Sequence, residues 1–514
     1  MSKMKKLLAM FLALAMVLGM SISTMAATAP AATNKATAVV EGVESGATVT
    51  AYQVVKGKYN DNGLVGYEKA DSELVDDYNV TVAGPTYAEV MAIANGINNN
   101  AITFDASAIE SMSWNAENST YTAQLTTGYW IVLVRGTGAT LYNPMVIGVN
   151  YVVTDGDNEL VANKVSAADH WTLTAGKVVA KKSTTTITKD ADVETQKSGG
   201  VVNYTVETKI PDYSAEYKNV KFNVTDTLTN LTLNQNSIEV YAGTKAEVAA
   251  GTATLLGSSA YTLKNLTNTT FMVEFVNAWI LGNVNEDITI KYSATLDNAA
   301  VEVIPGENKV KVEYSNNPGT STAHDEDEEN VYSFKLDVLE KIDEKNDPLD
   351  GATFTVYTDQ ACTTPYTNSQ FNGTVTSANG GKLVVNGLAE GTYYVKETNA
   401  PAGYTLNTTV YTIVIDATIE NEELKSWTIT TTYVEEGQTK SVVNTYTVGT
   451  TTNDQQETVV TATRNGQNIQ IKNTKLVALP STGGIGTTMF TIAGCGIMIA
   501  AAYLFFASRR REEA

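Results

Sequence analysis

The strongest constraint on this chain is a side-chain alternation with a period of two. Val201-Val202-Asn203-Tyr204-Thr205-Val206 and Val410-Tyr411-Thr412-Ile413-Val414-Ile415 are rich in β-branched and aromatic residues and repeat like side chains at every second place. A strand turns alternate residues to opposite faces, so this pattern suits a strand and not a helix. β-branched and aromatic side chains also fit the pleated surface. Such runs recur between polar turns along roughly 450 residues, too many for one core, so the expected fold is all-β with several sandwiches in series. One segment breaks the pattern. Thr86 and Glu89 have the spacing of a capping box, and Val90, Ile93, Ala94 and Ile97 share a face, which predicts a short helix from Tyr87 to Ile97.

Both ends of the chain are apolar, with different meanings. Lys3, Lys5 and Lys6 precede an apolar run from Leu7 to about Met20 that is short for a membrane span, and small residues at Thr24 and Ala26 follow. This order predicts a signal peptide over residues 1–26 with cleavage after Ala26. At the other end, the stretch from about Thr487 to Phe506 has the roughly 20 residues that a helix needs to cross a bilayer. Arg509-Arg510-Arg511 behind it favours the cytoplasmic side, which puts the body of the chain outside the cell. Leu479-Pro480-Ser481-Thr482-Gly483 stands just ahead of the apolar stretch. The pentapeptide resembles the LPXTG sorting signal of Gram-positive surface proteins. That resemblance implies a sortase that cuts between Thr482 and Gly483 and passes the Thr carboxyl to an amine.

Loss of both ends removes six basic and two acidic residues, which moves the net charge from −21 to −25. A body this acidic offers no basic footprint for nucleic acid. Cys495 leaves with the tail, so the mature chain from Ala27 to Thr482 keeps Cys362 alone and can form no internal disulfide. Cys362, beside Thr363 and Thr364, reads as a bystander. An extracellular chain without disulfides draws its resistance to unfolding from another source.

Three Ig-like sandwiches are expected, with boundaries at 27–168, 169–330 and 331–476 and a sorting segment over 477–514. The first boundary falls where Val165-Ser166-Ala167-Ala168-Asp169 gives way to a strand-like run from Trp171 to Val179. The second is marked by Asn316-Asn317-Pro318-Gly319 and the acidic run Asp325-Glu326-Asp327-Glu328-Glu329, read as a solvated linker. An internal repeat relates the first and third units. Gly46-Ala47-Thr48-Val49-Thr50-Ala51-Tyr52 echoes Gly351-Ala352-Thr353-Phe354-Thr355-Val356-Tyr357, and Gly128-Tyr129-Trp130-Ile131-Val132 echoes Gly391-Thr392-Tyr393-Tyr394-Val395.

In the third unit, Leu339-Glu340-Lys341-Ile342-Asp343 is followed by Glu397-Thr398-Asn399-Ala400-Pro401-Ala402-Gly403-Tyr404 and by Ile469-Gln470-Ile471-Lys472-Asn473. This series resembles the collagen-adhesin B-type (Cna-B) domain. The resemblance implies an isopeptide bond between Lys341 and Asn473, assisted by Glu397. Burial favours the neutral amine, which is a nucleophile, and the neutral carboxyl, which can donate to the amide and make its carbon more electrophilic. In the second unit, Lys189, then Val224-Thr225-Asp226-Thr227-Leu228, then Gly306-Glu307-Asn308-Lys309-Val310 resemble the Cna-A-type middle domain of sortase-assembled backbone pilins. This implies Lys189, Asp226 and Asn308 as a second set, with Asn316 as a rival acceptor. The first unit departs from the pattern. Ala36 stands where the repeat would place a lysine, Lys35 is one place off, and Val134 stands where it would place the acid. A one-residue shift turns a strand side chain to the other face, so no bond is expected there.

Backbone pilins join through a lysine near the junction of their first two domains. Here Lys177, Lys181 and Lys182 are candidates, the family's Tyr-Pro-Lys element being replaced by Val179-Ala180-Lys181. Lys182 is favoured, with Lys181 next, because it lies just before the strand that carries Lys189. The expected protein is a structural pilus subunit on the cell wall. Its partners would be a sortase, identical subunits, peptidoglycan and minor tip or base pilins, and the C-terminal helix would meet the membrane only transiently. A monomeric wall-anchored adhesin for a host or carbohydrate ligand is the alternative, distinguished by its having no use for a junction lysine. An enzyme is not expected, beyond one self-directed reaction per cross-link. His170 and His324 are the two histidines, which argues against metal clusters and His-based triads, and no cofactor or metal is expected.

Overall fold

The computed structural model describes residues 29–70, 78, 80–136, 140–155, 158–318, 322–452, 458–476 and 486–512. The expected signal peptide and the pentapeptide at 479–483 lie outside the described residues. Strands dominate, as the alternation requires, and three bodies of paired strands follow one another along the chain.

The first body is one curled sheet. Its central strand Thr48–Asn60 pairs antiparallel with Gly128–Arg135, Ile109–Asn115 and Gly63–Lys69. The helix Tyr87–Asn98 covers part of it. Thr86 and Glu89 exchange both capping-box hydrogen bonds, and Val90, Ile93, Ala94 and Ile97 are buried against Val54, Val55, Ile131 and Leu133. The opening strand Lys35–Glu41 lies antiparallel to Thr120–Thr126 and parallel to Lys177–Val179, and Trp171–Ala175 pairs with Met145–Asp155. Residues 171–179 therefore close the first sheet. The boundary expected at 168 is too early, because the alternating run that begins at Trp171 is the final edge of the first body.

The second body is a sandwich of two sheets. One holds Ile187–Ala191, Val201–Lys209 and Asp287–Leu296, and the other holds Thr270–Phe275, Phe222–Thr229, Gly306–Ser315 and Thr322–Val331. The acidic run expected to be a linker is part of this last strand. Its carboxylates have work there: Asp325 Oδ2 accepts from the Ile187 N–H at 3.0 Å and Asp327 Oδ2 from the Lys189 N–H at 2.7 Å. They satisfy donors on an edge strand that no neighbouring backbone reaches.

The third body packs a three-stranded sheet, Lys382–Leu388, Phe334–Ile342 and Ile469–Lys472, on a seven-stranded one that contains Thr353–Tyr357, Gly391–Asn399 and Val410–Glu420. Its first and last strands are parallel neighbours, with Lys341 opposite Ile471. The first body has the same parallel closure. The sequence echoes also pair in the same register: Ala51 faces Val132 and Tyr52 faces Ile131, as Val356 faces Val395 and Tyr357 faces Tyr394.

A helix runs from Gly486 to Glu512. Over Thr488–Arg509 it has a mean hydropathy of 2.0 with none of that window buried, so it is long and apolar enough to cross a membrane.

Candidate functional site

Among the described residues, Lys189 and Lys341 are the buried lysines. Each reaches the interior because it takes an inward place in an alternating strand. In Ile187–Ala191 the buried places are Ile187 and Lys189, and in Phe334–Ile342 Lys341 lies beside Leu339 and Ile342.

Around Lys341 the structure brings together the three residues that the sequence pattern names. The amine donates to Glu397 Oε2 at 2.9 Å and to Asn473 Oδ1, and Asn473 Nδ2 donates to Glu397 Oε1 at 2.7 Å. All three are at most 1% exposed. Glu397 reaches in from the seven-stranded sheet, where its partner Phe354 turns its ring to within 5.6 Å of Nζ. Burial pushes the Lys341 amine below its ordinary range, with Glu397 opposing the shift. Asn407, which the sequence reading did not single out, gives its backbone N–H to Glu397 Oε2 at 3.1 Å and so fixes the carboxyl.

The second site spans the sandwich. Lys189 comes from one sheet, while Asp226 and Asn308 lie on adjacent strands of the other, where Asp226 faces Val310 and Leu228 faces Asn308. The two side chains are thus diagonal neighbours on the inner face. Lys189 Nζ donates to Asp226 Oδ2 at 2.5 Å. Asn308, not Asn316, is the asparagine in this pocket, fully buried. Burial lowers the Lys189 amine and raises the Asp226 carboxyl, in each case against the pull of the other. The sequence reading missed Tyr292. Its hydroxyl lies 2.5 Å from Lys189 Nζ, 2.6 Å from Asp226 Oδ2 and 2.8 Å from Asn308 Nδ2.

The first body holds no such set among its described residues. Lys35 points outward and pairs with Glu110 at 3.8 Å, while Ala36 and Val134 are buried. Val134 faces Val49 as Glu397 faces Phe354, so an apolar side chain fills the position of the acid.

The three junction lysines are all exposed, with different surroundings. Lys177 pairs with Glu41 at 2.6 Å and Lys181 with Asp212 at 3.0 Å. Lys182 forms a two-residue ribbon with Tyr142 and makes no ion pair among the described residues.

A buried Lys–carboxyl pair beside a buried Asn amide recurs at two places, in direct contact around Lys341 and through the Tyr292 hydroxyl around Lys189. The family model of the T6 antigen Ig-like domain matches residues 33–183, that of the SpaA prealbumin-like domain matches 338–428, and that of the LPXTG cell wall anchor motif matches 471–514. The chain is 28% identical to the trypsin-resistant surface T6 protein of Streptococcus pyogenes serotype M6, over 92% of this chain and 94% of that protein. The three matches thus fall on the first module, on most of the third and on the C-terminal segment. The chain's fold agrees with the solved T6 backbone pilin of S. pyogenes, at a TM-score of 0.64 and 23% identity over 87% of this chain and all of that one. It also agrees with the full-length major pilin SpaD of Corynebacterium diphtheriae, at 0.52 and 18% over 88% of this chain and all of that one. Both are likenesses of fold. The matched anchor motif makes this chain a cell-wall protein displayed at the surface.

Proposed function

We propose that this chain is the structural backbone subunit of a covalent surface pilus. In this reading a sortase cleaves between Thr482 and Gly483 and transfers Thr482 to Lys182 of a neighbouring copy. Each subunit also joins Lys341 to Asn473 and Lys189 to Asn308 within itself. A head-to-tail bond of this kind is heterologous and does not close, so it builds a fibre. The order of modules, two sandwiches with buried Lys–carboxyl–Asn sets ahead of a wall anchor, supports a load-bearing role.

The observation that carries the reading is the Lys341 site. Three polar groups are removed from water and directed at one another, with the Asn407 backbone N–H as a further donor to Glu397. A buried ion pair is a weak source of stability, since desolvation offsets the attraction. The same arrangement is suited to a reaction. Lys341 gives one proton to Glu397, the neutral amine attacks Cγ of Asn473, and Glu397 takes up the second proton of the amine while giving one to Nδ2. The C–N bond breaks, ammonia leaves and an amide remains, with each subunit reacting once per site. Intact-mass measurement of the mature chain tests this. Two ammonia losses, mapped to the second and third modules, are the expected result. None, one or three would contradict it.

A further inference from the structure

The two sites differ in how the carboxyl meets the amide. In the third module Glu397 Oε1 accepts directly from Asn473 Nδ2, the nitrogen that must leave. In the second, Asp226 is shorter by one methylene. No hydrogen bond joins it to Asn308, and Oδ1 of each residue is buried without a partner. The Tyr292 hydroxyl occupies the gap, in contact with the attacking nitrogen, the carboxyl and the leaving nitrogen. Its ring is held in place, stacked on Tyr204 at 5.4 Å between centroids and edge-on to Phe271 at 4.9 Å.

We propose that Tyr292 is a catalytic residue of the second cross-link, a hydroxyl that hands a proton to the leaving nitrogen of Asn308 where the carboxyl itself does not touch it. This rests on the reading that Lys189 and Asn308 become joined. Lys189 first passes a proton to Asp226, and the neutral amine attacks Cγ of Asn308. As the intermediate collapses, the Tyr292 hydroxyl gives its proton to Nδ2 and takes one from Asp226, which accepts the second proton released by Nζ. The Cγ–Nδ2 bond breaks and ammonia departs. Tyr292 ends neutral and Asp226 ends protonated. Burial holds the phenol far above its ordinary range, so the hydroxyl keeps its proton and can both accept and donate.

The test is Tyr292→Phe in the mature chain, with the cross-linked fraction of each module read by mass at fixed times after synthesis. The third module should lose its ammonia as in the unaltered chain, while the loss from the second should slow by a hundredfold or so, within the usual reach of proton transfer by a placed group. Loss from the second module at the unaltered rate would overturn the proposal. Adding Asp226→Glu to Tyr292→Phe supplies a carboxyl with the reach of Glu397, and should restore the reaction without the phenol. Failure of that rescue also counts against the relay. If the unaltered chain shows no ammonia loss from its second module, the cross-link reading fails with it, an outcome distinct from a variant that reacts normally.

Discussion

At the residue scale, burial decides what Lys341 and Lys189 can do. An amine taken out of water is held toward its nucleophilic form. The proposed bond then acts on the unfolded chain. Lys341 and Asn473 are 132 residues apart, and closing a loop of that length removes denatured-state entropy worth about 5 kcal/mol on the chain-entropy estimate. Asn473→Ala keeps the Lys341–Glu397 pair and removes the acceptor. Its third module should lose one ammonia-release event and unfold at markedly lower temperature, with the second module unchanged, in a calorimetric scan that resolves the two. Lys341, Glu397 and Asn473 were legible in the sequence through the series of motifs that resembles the Cna-B domain, and the structure gives each an inward place in or beside its strand. Tyr292 was not. It follows Ile288 and Ile290 at every second place, and an aromatic there reads as ordinary core. Its role depends on a hydroxyl position set by three other strands.

At the element scale, the two sequence echoes are a shared register. Gly128 and Gly391 open equivalent strands with φ of +135° and +144°, conformations that favour glycine. Their surroundings differ. A Cβ on Gly128 would sit 1.8 Å from the Val55 carbonyl oxygen, whereas one on Gly391 meets nothing within 4 Å. Gly391→Ala should therefore cost about 1–3 kcal/mol through backbone strain alone. Gly128→Ala should cost more, since backbone has to move, and denaturant unfolding of each variant measures the difference. Strands and the helix were readable from periodicity because each pattern is local. The first boundary and the acidic strand were not. Trp171–Ala175 and Lys177–Val179 belong to the first sheet through partners up to about 140 residues away in sequence, and Asp325 and Asp327 are strand residues because an edge needs acceptors.

At the scale of the whole molecule, the modules meet through specific contacts. Between the second and third, Ser198 N–H donates to the Gly387 carbonyl, Ser369 N–H to that of Ser198, and Gln196 N–H to that of Tyr332. Between the first and second, Met91 and Leu141 join the second core, and Lys181 pairs with Asp212 beside the ribbon that holds Lys182. This arrangement leaves Lys182 exposed at a junction, free of an acidic partner among the described residues. Replacing Lys182 with Ala should abolish the high-mass ladder on a denaturing gel while leaving both ammonia losses intact. A persistent ladder would move the joint to another lysine. The most direct measurement is mass mapping of proteolytic fragments from native fibres. The expected result is a branched peptide with the Thr482 carboxyl on Nζ of Lys182. Fibres in which Lys182 is recovered unmodified, or material that releases only monomers, would contradict it.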